Sequence, residues 1–264
     1  MSTAAKHLRF MYTCWKLNLA GAMEFRTSFL LQVGMMMLNN AVWIFFWGVY
    51  FTRFPIINGW NFQDVMMMWA VSSAGYGLSA TLFGNSYRLA NIIATGQLDT
   101  YLAQPKPVLM HVLVSRMQVS PIGDILFGLI LFCIWGDVSL LGTVKFTVAL
   151  FVTMLIFTFF MVIVQSLAFY IGNAEGLAHQ FFITFITFAT YPTDIFRGIG
   201  RMILFTVIPA GFISYLPVGF LRDMEWSFTL SALGVALLLL AVGTFIFYRG
   251  LKRYGSGNMM IVRM

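Results

Sequence analysis

The sequence predicts an all-α polytopic membrane protein with six transmembrane helices, and three observations carry that prediction. First, the 264 residues are 60% hydrophobic and 9% charged, with a mean hydropathy of +0.85, whereas soluble domains carry roughly 25% charged residues. Sixteen basic and nine acidic side chains cannot clothe a 29.8 kDa globule in polar surface, so the surrounding solvent is lipid. Second, six stretches free of Asp, Glu, Lys and Arg are long enough to cross a hydrocarbon core of ~30 Å. They run over 27–52, 65–87, 146–174, 176–193, 202–221 and 226–248, and a seventh, 117–136, is interrupted only by Asp124. Third, Lys and Arg are distributed unevenly between the connections, and they are retained on the cytoplasmic side of short loops. The same composition excludes disorder, a disulfide scaffold and a collagen-like fibre, since Cys14 and Cys133 are the only cysteines.

The elements follow in chain order. Residues 4–24 are too charged to span, but on a helical wheel Leu8, Met11, Tyr12, Trp15, Leu19, Ala22 and Met23 share about a third of the circumference. Lys6, Arg9, Thr13 and Lys16 group on another side, so residues 1–26 read as a cytoplasmic interfacial helix resting on anionic lipid. Phe10 and Leu17 fall outside the apolar arc and call for a second protein surface. The run from residue 27 is too long for a signal-peptide core and lacks an A-x-A-like site, so it reads as an uncleaved first span. In the second span the small residues Ser72 to Ala80, "SSAGYGLSA", permit close helix approach and offer a packing surface toward a second chain. Ser120 and Pro121 read as the N-cap and first position of span three. Asp124 then lies in its first turn, satisfied by a neighbouring helix or by Arg116. Two further spans lie in 146–174 and 176–193. The window 202–221 holds Pro209, Gly211 and Pro217, which leave helical pieces too short to cross, so 194–225 reads as a re-entrant pair of half-helices. The run 226–248 completes a transmembrane domain over 27–248, and 249–264 is a cytoplasmic tail.

Charge fixes the count at six. With both termini inside, the inner side carries Lys6, Arg9, Lys16, Arg26, Arg88, Lys106, Arg116, Arg249, Lys252, Arg253 and Arg263. The outer side carries only Arg53, Lys145, Arg197, Arg201 and Arg222. A seventh span would move the Arg249, Lys252, Arg253 cluster outside, against the charge rule.

One long cytoplasmic connection, 88–116, is left to carry function. Gly96 ends the extension of span two, as glycine does just past a helix C-terminus. The run "QLDTYLAQ" then forms about two helical turns with Leu98, Tyr101 and Leu102 on one side, spaced i, i+3 and i+4. Asp99 lies on the same short helix, and Pro105 and Pro107 stop it. A short helix held between glycine and two prolines is a rigid lever, whose apolar face suits a protein groove better than headgroups; the bland alternative is a loop lying on the membrane.

The chain contains no GxxxxGK[ST], HExxH, CxxC or GxSxG. It therefore brings no recognisable engine, and no cofactor or metal is expected in it. His7, His111 and His179 lie far apart and read as packed or interfacial side chains. An ion-coupled secondary carrier or channel would keep ionisable groups inside the membrane, where Asp124 is the main candidate. A membrane-embedded enzyme would need clustered His, Asp or Glu, and that cluster is missing.

The segments "TGQLDTYLAQPKPVLMHVLVSR", "YPTDIFRGIGRMILFTVIPAGFISYLPVGFL" and "FYRGLKRYGS" resemble the permease subunits of type-2 ATP-binding-cassette (ABC) exporters, in the branch whose permeases are separate six-span chains. The resemblance covers nearly the whole chain. It implies a coupling helix at Gly96, Leu98, Asp99, Tyr101, Leu102 and Pro105, and a re-entrant outer gate at Tyr191, Pro192, Pro209, Tyr215 and Pro217. It also implies two ABC ATP-binding subunits, which would hold ATP and Mg, and a second permease chain, identical or related. Lipid is the other expected partner, nucleic acid is not expected, and the expected location is the bacterial inner (plasma) membrane.

Overall fold

The computed structural model describes residues 3–255, which contain thirteen α-helices and no strand. In chain order these are α1 (Thr3–Ala22), α2 (Arg26–Arg53), α3 (Phe62–Leu82), α4 (Leu89–Ala94), α5 (Asp99–Leu102), α6 (Val108–Val114) and α7 (Pro121–Trp135). There follow α8 (Leu140–Gln165), α9 (Ala168–Ile171), α10 (Glu175–Ala189), α11 (Ile199–Thr206), α12 (Ala210–Leu216) and α13 (Trp226–Leu251). Arg263 lies outside the described residues.

Three helical runs are long and apolar enough to cross a membrane: α1 with α2, α8 with α9, and α13. The pair α11 and α12 would add a fourth only if taken as one span, but the two are bent by 93° where Pro209 breaks the run. Helices α7 and α10 hold 15 residues each, about 22 Å at 1.5 Å per residue, and α3 is shorter than its apolar window.

Of these three runs, the one through α8 lies deepest inside the chain. In its most apolar window 67% of residues are buried inside the chain, against 11% for the α1–α2 run and 22% for α13. Helix α2 buries only the stripe Val33, Asn40, Trp47 and Phe51, spaced to fall on one side, and leaves Leu30, Leu38, Val42 and Phe45 exposed. Helix α3 is buried almost all round, between α7 and α8. Its N-terminus closes on itself: the Asn61 side chain accepts from the Asp64 amide at 2.9 Å, and the Asp64 carboxylate accepts from the Asn61 amide at 3.0 Å.

The small residues of α3 are used within this chain, not toward a second one. A Cβ placed on Gly128 of α7 would lie 2.5 Å from the Ala70 carbonyl and 2.6 Å from the Ala74 Cβ, so the two backbones meet where no side chain fits. Ser72 donates to the Ala189 carbonyl at 2.7 Å, which ties α3 to the end of α10. With residues 72–77 buried, that face is not a dimer surface.

Three further expectations shift. Helix α3 stops at Leu82, short of residue 87, and the chain turns through Gly84–Tyr87 before α4 resumes. Irregular backbone buried in this way needs partners from the protein itself. Gln165 supplies them, its amide donating to the Tyr87 carbonyl and accepting from the Ala90 amide, each at 2.8 Å. Asn85 donates to the Val112 carbonyl and to the Ser115 hydroxyl, each at 2.9 Å. Ser120 does not cap α7 with its side chain, because its backbone is already helical and Gly123 bonds back to its carbonyl at 2.8 Å. Pro121 is the first helical residue, as expected. The α1 arc is divided: the Trp15 indole donates to the Leu82 carbonyl at 2.8 Å, while Leu8, Tyr12, Leu19 and Met23 stay exposed.

Candidate functional site

The connection over 88–116 rests on its own small core. Leu89, Ile92, Ile93, Leu98, Leu109 and Leu113 pack with Val162 of α8, Ala168 of α9 and Phe247 of α13. Gly96 ends α4 with φ of 75°, a backbone that side chains rarely adopt. The helix that follows, α5, is a single turn over Asp99–Leu102, about half the length expected, and after residues 103–106 Pro107 stands at the N-cap of α6.

The face expected to meet a partner is divided. Leu98 is 0% exposed, held in the chain's own core, so it contacts nothing outside. Tyr101 is half-buried: its ring stands edge-on to His111 at 5.0 Å, and its hydroxyl shares a 2.9 Å hydrogen bond with Ser115. Periodicity put Leu98, Tyr101 and Leu102 on one side of a two-turn helix; in the single turn that forms, Leu98 faces inward, Tyr101 is half-buried and Leu102 is exposed. Exposed instead are Gln97, Thr100 and the continuous rim Leu102, Ala103, Gln104, Pro105, Lys106 and Pro107.

Both ends of the described chain tie this connection down. Phe10 of α1 stands edge-on to His111 at 5.2 Å and carries the Lys106 ammonium over its face at 3.8 Å, so Phe10 is covered as expected, whereas Leu17 stays exposed. Asn18 donates to the Val114 carbonyl at 3.0 Å. Burial, and then the neighbouring Lys106 charge, lower the pKa of His111 below its ordinary 6.5. At the other end Tyr254 lies beside Asp99, and burial together with that carboxylate pushes the tyrosine hydroxyl up to about 12.

The proline-rich segment near the other end of the bundle is pinned by charge. Pro192 is buried and opens the 3-10 turn Thr193–Ile195. Asp194 in that turn accepts from the Trp60 indole at 2.8 Å and pairs with Arg201 at 3.0 Å. Tyr191 stands edge-on to Trp47, Pro209 marks the bend, and Tyr215 packs on Phe228 at 4.9 Å and donates to Glu225 at 3.3 Å. Pro217 begins a π-helical turn, Pro217–Arg222, whose Arg222 reaches Asp64 at 2.7 Å and Asp223 at 2.9 Å. Sequence reasoning missed Trp60, Asp64 and Asp194. The one local signal was Asn58-Gly59, a turn-forming pair whose φ values are both positive.

Asp124 is 4% exposed and accepts a 2.6 Å hydrogen bond from Asn40 of α2, so its partner is a neighbouring helix and not Arg116. It lines a half-open cavity of about 390 Å³ walled by α2, α3 and α10. A second cavity of similar size, lined by Tyr87, Gln118, Gln165, Glu175 and His179, adjoins it across Tyr76 and Phe182, whose rings lie 5.7 Å apart. Among the described residues no group of three His, Cys, Asp or Glu side chains is placed to hold a metal.

No curated protein and no solved structure matches the chain. The family model described as "ABC-2 family transporter protein" matches residues 37–257, a stretch running from the middle of α2 past the end of α13. An all-helical, strongly apolar chain with several helices able to cross a bilayer accords with that match. The chain belongs to the ABC-2 family of transporter proteins, as a multi-pass membrane permease component, a family whose members associate with ATP-binding subunits.

Proposed function

We propose that this chain is the permease of an ATP-driven exporter in the bacterial inner membrane, paired with a second permease chain and docked on two separate ATPase subunits. In this reading α2, α3, α7, α8, α10 and α13 are the six spans, α11 and α12 dip in from outside and return, and both termini are cytoplasmic. The observation that carries the proposal is the connection 96–107. Its exposed rim is presented on a base anchored by Leu98, Tyr101, Phe10 and Tyr254. A lever must pass displacement on without bending, and this one is clamped from three sides.

ATP binding would close the two ATPase subunits on each other, each pressing on one permease through this rim. Coupling free energy arises because the docking contacts differ between the open and closed states. Leu102 and Pro105 make the contact; Leu98 and Tyr101 convey it to α4, α6 and the lower ends of α8 and α13. Tyr191, Pro192, Pro209, Tyr215 and Pro217 then shape the outer exit.

The complex purified with its native partners should contain an ATP-binding chain and two permeases by native mass spectrometry, and the isolated permease should not hydrolyse ATP. Robust turnover by the isolated chain rejects the proposal. Single cysteines beside Arg201 and Arg222 should both react with an impermeant reagent from outside, whereas labelling from opposite sides establishes a further span. Asp124, buried in the cavity wall, favours one second reading, an ion-coupled carrier. That reading predicts gradient-driven uptake in liposomes holding this chain alone.

A further inference from the structure

We propose that the cavity bounded by α2, α3 and α10 is a binding site for a protonated amine carried on an apolar body, with Asp124 as its counter-charge. This deepens the permease reading by naming the chemistry of the cargo. Binding itself rests only on the walls of the cavity.

Two independent features of the wall lead there. The first is the carboxylate. Asp124 is 96% buried by its 4% exposure, its Oδ1 accepts from Asn40 at 2.6 Å, and its Oδ2 has no hydrogen-bond partner. Asn40 is a neutral donor, and among the described residues Asp124 makes no ion pair. A charge removed from water is costly unless paired and hydrogen-bonded. One oxygen is held by Asn40, and the other, closed off behind the cavity wall, has no partner in the protein, so a donor entering the cavity would reach it only by displacing part of that wall.

The second feature is aromatic. Trp43 and Trp69 lie stacked in the same wall, with centroids 5.3 Å apart, and Tyr76 and Tyr191 complete it. Ring faces attract cations and repel anions, and they also accept an apolar body. A carboxylate beside four such rings therefore selects for positive charge joined to hydrocarbon. The volume, about 390 Å³, falls within the range of small-molecule sites, roughly 300–1,000 Å³. An anionic cargo would meet Asp124 unscreened, and a neutral donor would pair its Oδ2 without the charge assistance that an ammonium supplies.

The test uses the full chain in lipid nanodiscs without nucleotide, with empty nanodiscs subtracted. The probes are 1-adamantylamine and 1-adamantanol, which share one cage and differ in an ammonium against a hydroxyl. Equilibrium dialysis should show saturable amine binding that weakens roughly 10- to 100-fold in Asp124→Asn, as for the loss of a hydrogen bond to a charged group. Asparagine keeps an acceptor for Asn40, so the helix pairing survives. Trp43→Leu, on the half-buried side of the stack, should weaken the amine more than the alcohol. Equal affinity for amine and alcohol in the wild type, or undiminished amine binding in Asp124→Asn, overturns the proposal. If Asp124→Asn does not give a monodisperse protein, the Trp43→Leu comparison decides by the same ratio. Amine binding by a chain that recruits no ATPase would uphold the site and reject the permease reading; an ATPase-coupled chain indifferent to charge would do the reverse.

Discussion

Replacing Tyr101 and Leu102 one at a time separates holding the lever from pushing it. Tyr101→Ala removes a 2.9 Å hydrogen bond to Ser115 and an edge-to-face contact with His111. The hydrogen bond contributes about 1 kcal/mol net and the ring pair about 0.5–1.5 kcal/mol, with a little more from lost burial of a half-exposed ring. A total of about 2–3 kcal/mol raises the local opening equilibrium roughly 30- to 150-fold. Leu102 is 42% exposed, so Leu102→Ala should cost the isolated chain under about 1 kcal/mol. Amide hydrogen exchange over 98–103 reads this directly: faster by the stated factor in Tyr101→Ala, near wild type in Leu102→Ala. On the assembled complex Leu102→Ala should weaken ATPase docking. Tyr101→Ala should leave the ATPase bound but its hydrolysis poorly matched to export. Unchanged exchange in Tyr101→Ala, or a Leu102→Ala complex with normal assembly and export, refutes the division of labour.

Asp64→Ala should destabilise the protein more than Arg222→Ala, by about 2–3 kcal/mol against about 1 kcal/mol. The carboxylate closes the α3 capping box and is 7% exposed, while its partner is 41% exposed and screened; thermal unfolding of the two variants checks the order. The connection over 88–116 should loosen on acidification. His111 takes up its proton more readily when exposed than when packed, so stability is full above the ordinary value of 6.5 and falls as pH drops through it toward the lowered folded value. Exchange over 108–115 measured from neutral to acidic pH should accelerate, and His111→Phe should flatten the response. Gly128→Leu should abolish a folded product on gel filtration, because its Cβ has no room beside Ala70 and Ala74. Gly34→Ala on α2, with nothing within 4 Å, should be tolerated.

What the sequence revealed and what it hid divide along a physical line. Local chemistry was legible: the amphipathic α1, the positive φ at Gly96, Pro121 at the start of α7 and the bend at Pro209 all follow from residues near in sequence. Partners distant in sequence were not. A wheel cannot tell whether an apolar side meets its own chain or another: the small residues of α3 meet their own chain, and of the run Leu98, Tyr101 and Leu102 the first is buried in it, the second half-buried and the third exposed. Asp124 was visible as an isolated acid in an apolar run. Its bond to Asn40, 84 residues earlier, was not. The cluster of Asp194 and Arg201 is completed by Trp60, 134 positions before Asp194, with only a two-residue turn to hint at it.

The amide of Gln165 also sets an order of events during synthesis. The turn between α3 and α4 needs one group that donates and accepts at once, and the chain supplies it 75 to 78 residues later. Until α8 has been made and inserted, the Tyr87 carbonyl and the Ala90 amide lack their final partners, and the connection bearing the coupling rim cannot settle into its final shape. The N-terminal half is therefore no independent hairpin that matures as it leaves the ribosome. It waits for the centre of the bundle to arrive, so the exposed rim over 102–107 takes its final form only once that centre is in place.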